Sequence, residues 1–352
     1  MTEEEGTGIT VRAPAAVKLF GEHAVVFGRT CVAVTVGMYA EASLSEPGGP
    51  RATISLEDHG IDYELSQSRI ADLFAEYKRY EINAYIERNS DIPLQVLPYA
   101  TIMSRISAEH GIKATGYKVS VRSEIPASKG LGSSAATSTA FALSVFGISG
   151  KAVPDHDAID AARDGERVIH KFGNAGLIDV PATYLGGAVS YSSVDGPRSN
   201  PISNLKSILL IDTGTSKDTH EMIPKVREFC ASNREVSEEL LDGINLCSIA
   251  GLEALKGGDM KALGRLMNRN QDLLRSLGVS SEEIDRVADI AIRNCSSGAK
   301  LSGKGGGGIV VALDNAKRDL SSPMEAAGYK TYNATITSIG AKHSYNRCIN
   351  GR

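Results

Sequence analysis

The pattern of hydrophobic and polar residues predicts several β-strands in the N-terminal part of the chain. Residues 9–13 and 31–45 are rich in Val, Thr and Ala with partial alternation, which is typical of strands. The segments 52–56 and 61–65 flank a short turn and predict a hairpin. Residues 117–123 alternate between apolar and polar side chains, which indicates a further strand.

Other segments show the spacing of apolar residues that predicts helices. The predicted helices cover residues 67–78, residues 83–110, a segment ending near 147, residues 155–172, and most of 218–296. Gly257-Gly258 and Gly278 are predicted to break the last of these regions into separate helices.

The C-terminal half adds strands to this helical pattern. Strands are predicted at 187–193 and 206–212, and residues 299–313 are predicted to form a strand, a glycine loop and a second strand. A final helix and a strand at 330–337 complete the predicted order. No internal repeat is evident.

This mixed order predicts an α+β protein with two lobes. A length of 352 residues also suits two domains. We place the junction near 185–200, with an N-terminal lobe of residues 1–190 and a C-terminal lobe of residues 191–352.

Composition and charge exclude several classes of function. The hydrophobic fraction of 42% is sufficient for a core, and the net charge of −4 lacks the basic patch of a nucleic-acid-binding protein. No apolar stretch reaches the ~18 residues of a membrane span. The odd number of scattered cysteines disfavours a disulfide scaffold or a zinc site. With no signal peptide evident, we expect a cytoplasmic protein.

The segment Lys129-Gly-Leu-Gly-Ser-Ser-Ala-Ala-Thr137 is the first candidate for chemistry. It stands where a helix is predicted to begin, and helix N-termini attract anions such as phosphate. Glycine permits close approach of the backbone, and serine hydroxyls can bond phosphate or Mg²⁺. It matches neither the Walker nor the dinucleotide-binding pattern. A serine-capped helix behind an ordinary turn explains the same residues.

Three segments together resemble the GHMP kinases, the superfamily of galactokinase, homoserine kinase, mevalonate kinase and phosphomevalonate kinase. They are APAAVKLFGEHAVVFG at 13–28, IPASKGLGSSAATS at 125–138 and KLSGKGGGGIVV at 300–311. Within the superfamily, the string GEHAVVFG and the segments GERVIH, GLIDVPATYLGG, DTGTSKDT and NQDLLRSLGVS resemble the mevalonate kinases, of the archaeal type.

This resemblance implies a two-lobed fold, with an N-terminal lobe like domain 2 of ribosomal protein S5 and a ferredoxin-like C-terminal lobe. It implies transfer of the γ-phosphoryl group of ATP to the C5 hydroxyl of (R)-mevalonate, with ATP and Mg²⁺ bound, in the isoprenoid pathway. It implies no nucleic-acid or membrane partner and leaves a homodimer open.

The resemblance also implies roles for individual residues. Asp179 matches the catalytic base, and Ser134 and Glu166 match the Mg²⁺ ligands. Glu22, His23 and Thr219 match positions near the substrate. Gly305 and Gly306 belong to a run of four glycines inside a strand–strand passage, which close approach of the backbone to substrate or phosphate explains, with a flexible hairpin as the alternative. The nucleotide-binding residues of the glycine loop are Lys129, Gly130, Leu131, Gly132, Ser133, Ser134 and Ala135. Structural alternatives exist: Asp179 as a turn residue, Glu166 as an exposed helix charge, and Thr219 as a helix cap.

Two departures from the family accompany this match. The mevalonate kinases carry a lysine in the first motif where this chain has Ala16, and Lys171-Phe172 is an insertion between Glu166 and Asp179. On a strand, positions 16 and 18 share a face about 6.6 Å apart. We therefore predict that Lys18 supplies the missing catalytic charge and that Lys304 adds a phosphate contact.

Two alternatives to a mevalonate kinase stay open at this point. One is a GHMP kinase acting on a phosphorylated mevalonate or another hydroxy acid. The other is a kinase-like binding module without chemistry, which the joint presence of Asp179, Glu166 and Ser134 disfavours.

Overall fold

Two β-sheets organise the computed structural model, which describes residues 8–215, 222–313 and 319–350. The first sheet has seven strands, and the second has four. The strands of the first sheet are β1 (Ile9–Phe20), β2 (Cys31–Ser45), β3 (Arg51–Leu56), β4 (Ile61–Ser66), β5 (Lys118–Ser123), β6 (Ala188–Ser192) and β7 (Gly196–Asn200). The strands of the second sheet are β8 (Ser207–Asp212), β9 (Ala299–Ser302), β10 (Ile309–Ala312) and β11 (Lys330–Thr335).

The long strand β2 is the centre of the first sheet. Its two halves pair with β5 and β6 along one edge, and β1 pairs along the other. The sheet order is β4-β3-β5-β2-β6-β7, and among the described strands of this sheet only β3 and β5 pair in parallel. The second sheet is antiparallel in the order β11-β8-β10-β9.

Helices cover both sheets. They are α1 (Gln67–Arg79), α2 (Ile82–Arg88), α3 (Leu97–His110), α4 (Ser133–Phe146), α5 (Asp155–His170), α6 (Asp179–Leu185), α7 (Met222–Ser232), α8 (Arg234–Gly257), α9 (Met260–Ser276), α10 (Glu282–Arg293), α11 (Ser321–Ala326) and α12 (Ala341–Asn350). The apolar helix α4 lies against β1 and β2 and is buried from Ala135 onward. None of the helices in the described ranges combines the length and the apolar character that a bilayer crossing requires.

The prediction of an α+β protein is confirmed, but one predicted helix is interrupted and three elements were not predicted. The helix predicted over 83–110 is interrupted between α2 and α3, where Pro93 disfavours helical backbone in the residue before it. Strand β7 and helix α6 were not predicted. Helix α12, also not predicted, follows the last strand and packs against β1.

The boundary between the two lobes, which the sequence places at residue 190, stays a prediction. In the structure, β6 and β7 are still strands of the first sheet, and the second sheet begins at β8. The C-terminal helix α12 returns to α4 and α6, so the chain crosses between the two sheets a second time.

Candidate active site

The glycine loop before α4 is packed tightly between β1 and the turn after β9. Ala16 of β1 donates its N–H to the Leu131 carbonyl at 3.1 Å. A Cβ at Gly132 would lie 3.2 Å from Cβ of Ala16, and one at Gly130 would lie 2.7 Å from the Ser302 carbonyl oxygen. Both glycines also have positive φ, at 66° and 81°. Close backbone packing therefore requires glycine at both positions.

This loop and the start of α4 line a cavity of about 790 Å³, the first cavity. N–H groups in the first turn of α4 have no partner within the helix and favour an anion. Residues 129–134 of the predicted nucleotide-binding set line the cavity, and Ala135 is buried behind them. The Lys129 ammonium lies 2.9 Å from the Asp212 carboxylate, which connects the loop to the second sheet.

A second cavity of about 750 Å³ adjoins the first. The side chains common to both cavities include Lys18, His170, Asp179 and Lys304. Each volume suits a small-molecule ligand. Two adjoining cavities that share charged side chains can hold two reactants against each other.

At this junction, the Lys18 ammonium donates a short hydrogen bond to the Asp179 carboxylate. Strand β1 places Lys18 on the same face as Ala16, and that face packs against Ile178 and Ala182 of the α6 region. The two side chains are 15% and 20% exposed. Burial lowers the pKa of Lys18, but the charge of Asp179 and the hydrogen bond to it raise the pKa more, so it stays above its usual value. Lys18 is therefore protonated at neutral pH.

A separate chain of contacts runs from Lys304 through His170 to Glu166 and Ser134 in the first cavity. The Lys304 ammonium lies 3.3 Å from Nδ1 of His170. Nε2 of His170 lies 3.3 Å from Glu166 Oε2 and 3.5 Å from Ser134 Oγ. The structure thus brings Ser134 and Glu166 together. Sequence reasoning missed His170, although its position four residues after Glu166 places both on one face of α5.

Burial and the charge of Lys18 lower the pKa of Lys304. The ammonium group of Lys304 has a hydrogen-bond partner in His170 but is not paired with a carboxylate at salt-bridge distance among the described residues. A phosphate anion would stabilise its charge, because an opposite charge nearby favours the protonated form.

Glu22 and His23 line the second cavity, and each contacts the C-terminal part of the chain. Glu22 is 1% exposed and accepts a hydrogen bond from Lys300, which is fully buried. His23 Nε2 lies 2.8 Å from the Lys304 carbonyl oxygen. Burial lowers the pKa of His23 to about 4, so its imidazole is neutral at pH 7. Sequence reasoning did not identify Lys300, whose partner lies 278 residues away.

The third glycine segment lies beside the glycine loop. Gly305 lines the first cavity, whereas Gly306 lines neither cavity among those described. A Cβ at Gly305 would lie 2.1 Å from the Val279 carbonyl oxygen, so packing alone requires glycine there. Thr219 lies outside the described residues.

Comparison with known proteins places this geometry in a family. The family model of the GHMP kinase N-terminal domain matches residues 97–187, and the model of the GHMP kinase C-terminal domain matches residues 252–329. The chain belongs to the GHMP kinases. The N-terminal match includes the glycine loop and Asp179, and the C-terminal match includes the third glycine segment.

Curated and solved relatives cover nearly the whole of this GHMP kinase. It is 29% identical over 336 residues to the mevalonate kinase of Aeropyrum pernix, across 94% of this chain and 96% of that protein. The structure of the Methanococcus jannaschii mevalonate kinase matches with a TM-score of 0.75 at 24% identity, covering 95% of this chain and 99% of the other. The L. major mevalonate kinase in complex with R-mevalonate matches with a TM-score of 0.71 at 23% identity, covering 96% and 98%. The predicted two-lobed GHMP kinase fold is confirmed.

The residues of this GHMP kinase fit Mg²⁺ bound together with nucleotide. Glu166 Oε1 is buried and has no hydrogen-bond partner among the described residues, which leaves an oxygen for a cation. The described ranges contain no cluster of three or more His, Cys, Asp or Glu side chains that could hold a metal ion. That suits Mg²⁺, which takes few protein ligands and completes its shell with phosphate oxygens and water.

Proposed function

We propose that this GHMP kinase transfers the γ-phosphoryl group of ATP to the C5 hydroxyl of (R)-mevalonate. The meeting of the two cavities at Lys18 and Asp179 carries the proposal. The first cavity has the phosphate-binding features of a nucleotide site, and the second is then the acceptor site. The full-length similarity to curated mevalonate kinases supports this acceptor.

The walls of the second cavity suit a small hydroxy acid. Apolar residues such as Val25, Leu177 and Ile223 line part of it, and lysine and arginine side chains line another part. Mevalonate offers a methyl group and methylenes for the apolar part and a carboxylate for the cations. A neutral sugar would leave those cations without a partner.

Asp179 is the residue we propose to accept the hydroxyl proton. A catalytic base must lie within hydrogen-bond reach of the acceptor hydroxyl, and Asp179 lines both cavities. Its hydrogen bond from Lys18 holds the carboxylate where the two cavities meet. Lys18, protonated at neutral pH, is placed to stabilise negative charge on the transferring phosphoryl group.

We propose that Ser134 and Glu166 hold Mg²⁺ and that residues 129–135 hold the ATP phosphates. When bound, Mg²⁺ neutralises phosphate charge during transfer. The chain itself supplies the N–H groups at the start of α4, the Ser134 hydroxyl and the orphaned Glu166 oxygen. Lys304, which lines both cavities, adds a second positive charge.

Ser134→Ala and Glu166→Gln are each expected to raise the free Mg²⁺ concentration for half-maximal activity. The first removes a hydroxyl ligand, and the second replaces a negatively charged carboxylate with a neutral amide. Activity titrated against free Mg²⁺ at saturating ATP measures this. Asp160→Asn, a loss of carboxylate charge elsewhere on α5, is the matched control. An unchanged Mg²⁺ requirement in both variants would reject the assignment.

The proposed reaction is tested with a panel of acceptors in a coupled assay of ADP release: mevalonate, phosphomevalonate, galactose and homoserine. Mevalonate is expected to be phosphorylated far more efficiently than the other three. Preference for phosphomevalonate would favour the alternative GHMP kinase activity. Nucleotide binding without ADP release for any acceptor would favour a binding module.

We also infer a cytoplasmic location. Cys31 and Cys247 are buried as free thiols, which suits a reducing compartment. The homodimer that the resemblance leaves open stays a prediction.

A further inference from the structure

The second cavity has more cations than its own carboxylates neutralise. Among its described lining residues, the acidic side chains are Glu22 and Asp179. Glu22 pairs with Lys300, behind the cavity wall, and Asp179 pairs with Lys18. Lys171, Arg227 and Lys304 line the same cavity. This excess of positive charge favours an anionic ligand.

Arg227 is distinguished from the other two cations by how it is held. Its guanidinium lies over the ring of Phe172, 4.6 Å from the ring centroid. Within the part of the chain that the structure describes, no carboxylate lies at salt-bridge distance from Arg227. Arg227 belongs to α7, whereas Phe172 follows the end of α5, so the contact joins two elements that line the second cavity.

The end of α5 positions Phe172 for this contact. Lys171 has the left-handed conformation, with φ of 52°, and ends the helix. The Phe172 N–H then donates to the Arg167 carbonyl at 3.2 Å, which fixes the backbone beside the cavity. Both residues line the second cavity, and they are the two that the resemblance marks as an insertion between Glu166 and Asp179.

The contact with Phe172 leaves N–H donors of Arg227 available to a ligand. A guanidinium has five such donors, and an aromatic ring attracts it through its positive charge. The ring restricts the side chain without using its N–H groups, and a planar guanidinium matches a carboxylate through two parallel hydrogen bonds.

We propose that Arg227, held on Phe172, binds the carboxylate of the acceptor and selects hydroxy acids over neutral alcohols. This inference rests on the proposed function, because it concerns the carboxylate end of the acceptor whose hydroxyl end we place at Asp179. The acceptor hydroxyl lies at Asp179, and its carboxylate lies at Arg227. Arg227 is thus a specificity-determining residue and takes no part in proton transfer.

The test compares two acceptors that differ only at the carboxylate: mevalonate and the neutral 3-methylpentane-1,3,5-triol. In Arg227→Met, the KM for mevalonate is expected to rise about 10- to 100-fold, the range for loss of a hydrogen bond to a charged group. The kcat is expected to stay within a few-fold, and kcat/KM for the triol is expected to stay near wild type. Arg293→Met, an exposed arginine of α10 that lines neither cavity, is the control.

Two further variants separate the charge from the stacking. Arg227→Lys is expected to recover part of the affinity for mevalonate, because it keeps the charge but loses the planar fork. Phe172→Leu is expected to raise the KM for mevalonate by a smaller factor than Arg227→Met. The charge of Arg227 remains in this variant, but its side chain is held less firmly.

The outcomes distinguish this inference from the proposed function. If the wild type phosphorylates mevalonate and Arg227→Met has an unchanged KM, the inference is wrong and the proposed function stands. An equal loss of activity for mevalonate and the triol would indicate a structural role and would also overturn it. A wild type that does not phosphorylate mevalonate overturns both.

Discussion

Asp179→Asn is expected to lower kcat for mevalonate by about 10²- to 10⁴-fold, the range for loss of a positioned general base. Asparagine keeps the size of the side chain but cannot accept the proton. Binding of an ATP analogue is expected to change little, because the glycine loop is untouched. Steady-state kinetics and nucleotide titration measure the two effects.

The variant also removes the partner of the partly buried Lys18, so stability must be measured beside activity. Thermal unfolding of Asp179→Asn shows whether the protein is folded at the assay temperature, and Asp289→Asn on the exposed face of α10 is the control for loss of a carboxylate. A folded Asp179→Asn protein with kcat within a few-fold of wild type would show that Asp179 is not the base.

Lys18→Met is expected to lower kcat by tenfold or more, each tenfold being ~1.4 kcal/mol of barrier. Methionine keeps much of the apolar stem but removes the ammonium beside Asp179. The charge that builds up during phosphoryl transfer then lacks a nearby cation. Lys18→Arg is expected to recover part of the loss.

The variant Lys304→Met distinguishes the role of Lys304 from that of Lys18. Lys304 contacts His170 and does not contact Asp179 in the described structure. Loss of the Lys304 ammonium is therefore expected to raise the KM for ATP more than it lowers kcat. If Lys304→Met loses most of its kcat while Lys18→Met is near wild type, the third glycine segment supplies the catalytic charge. In the double variant Lys18→Met with Asp179→Asn, losses smaller than the product of the single losses would show that the two residues act together.

Moving the lysine back to position 16 is not expected to restore activity in this chain. Ala16 is fully buried, and even a Cβ added at Gly132 would lie only 3.2 Å from the Ala16 Cβ. A longer side chain there would displace the glycine loop, so the close packing that forms the first cavity also disfavours a lysine at that position.

Most helices and strands could be predicted because their signals are local. The alternation in β5, the apolar run of α4 and the glycine breaks at 257–258 and 278 all correspond to elements or boundaries in the structure. The errors arose where local signals were weak or overlooked. Pro93 indicated the break before α3, whereas β7 (Gly196–Asn200) has a polar sequence and is a strand because it pairs with β6.

The chemistry of the site could be predicted only in part. Glycine spacing before a helix indicated the phosphate site, and the family resemblance implied Asp179, Glu166 and Ser134. Lys300 was missed because its partner Glu22 lies 278 residues away. His170 was missed although Glu166 lies one helical turn before it, and its contacts with Ser134 and Lys304 depend on the fold. Whether Thr219 joins them stays a prediction.

The sequence by itself determined which residues share a face and where the backbone can turn. Strand alternation placed Ala16 and Lys18 on one side of β1, and the glycines allowed the loop before α4. Only the tertiary structure decided which carboxylate Lys18 meets, because Asp179 lies 161 residues further along the chain. The packing of β1 against the α6 region brings the two together, and such a contact depends on the whole fold, which no local pattern specifies.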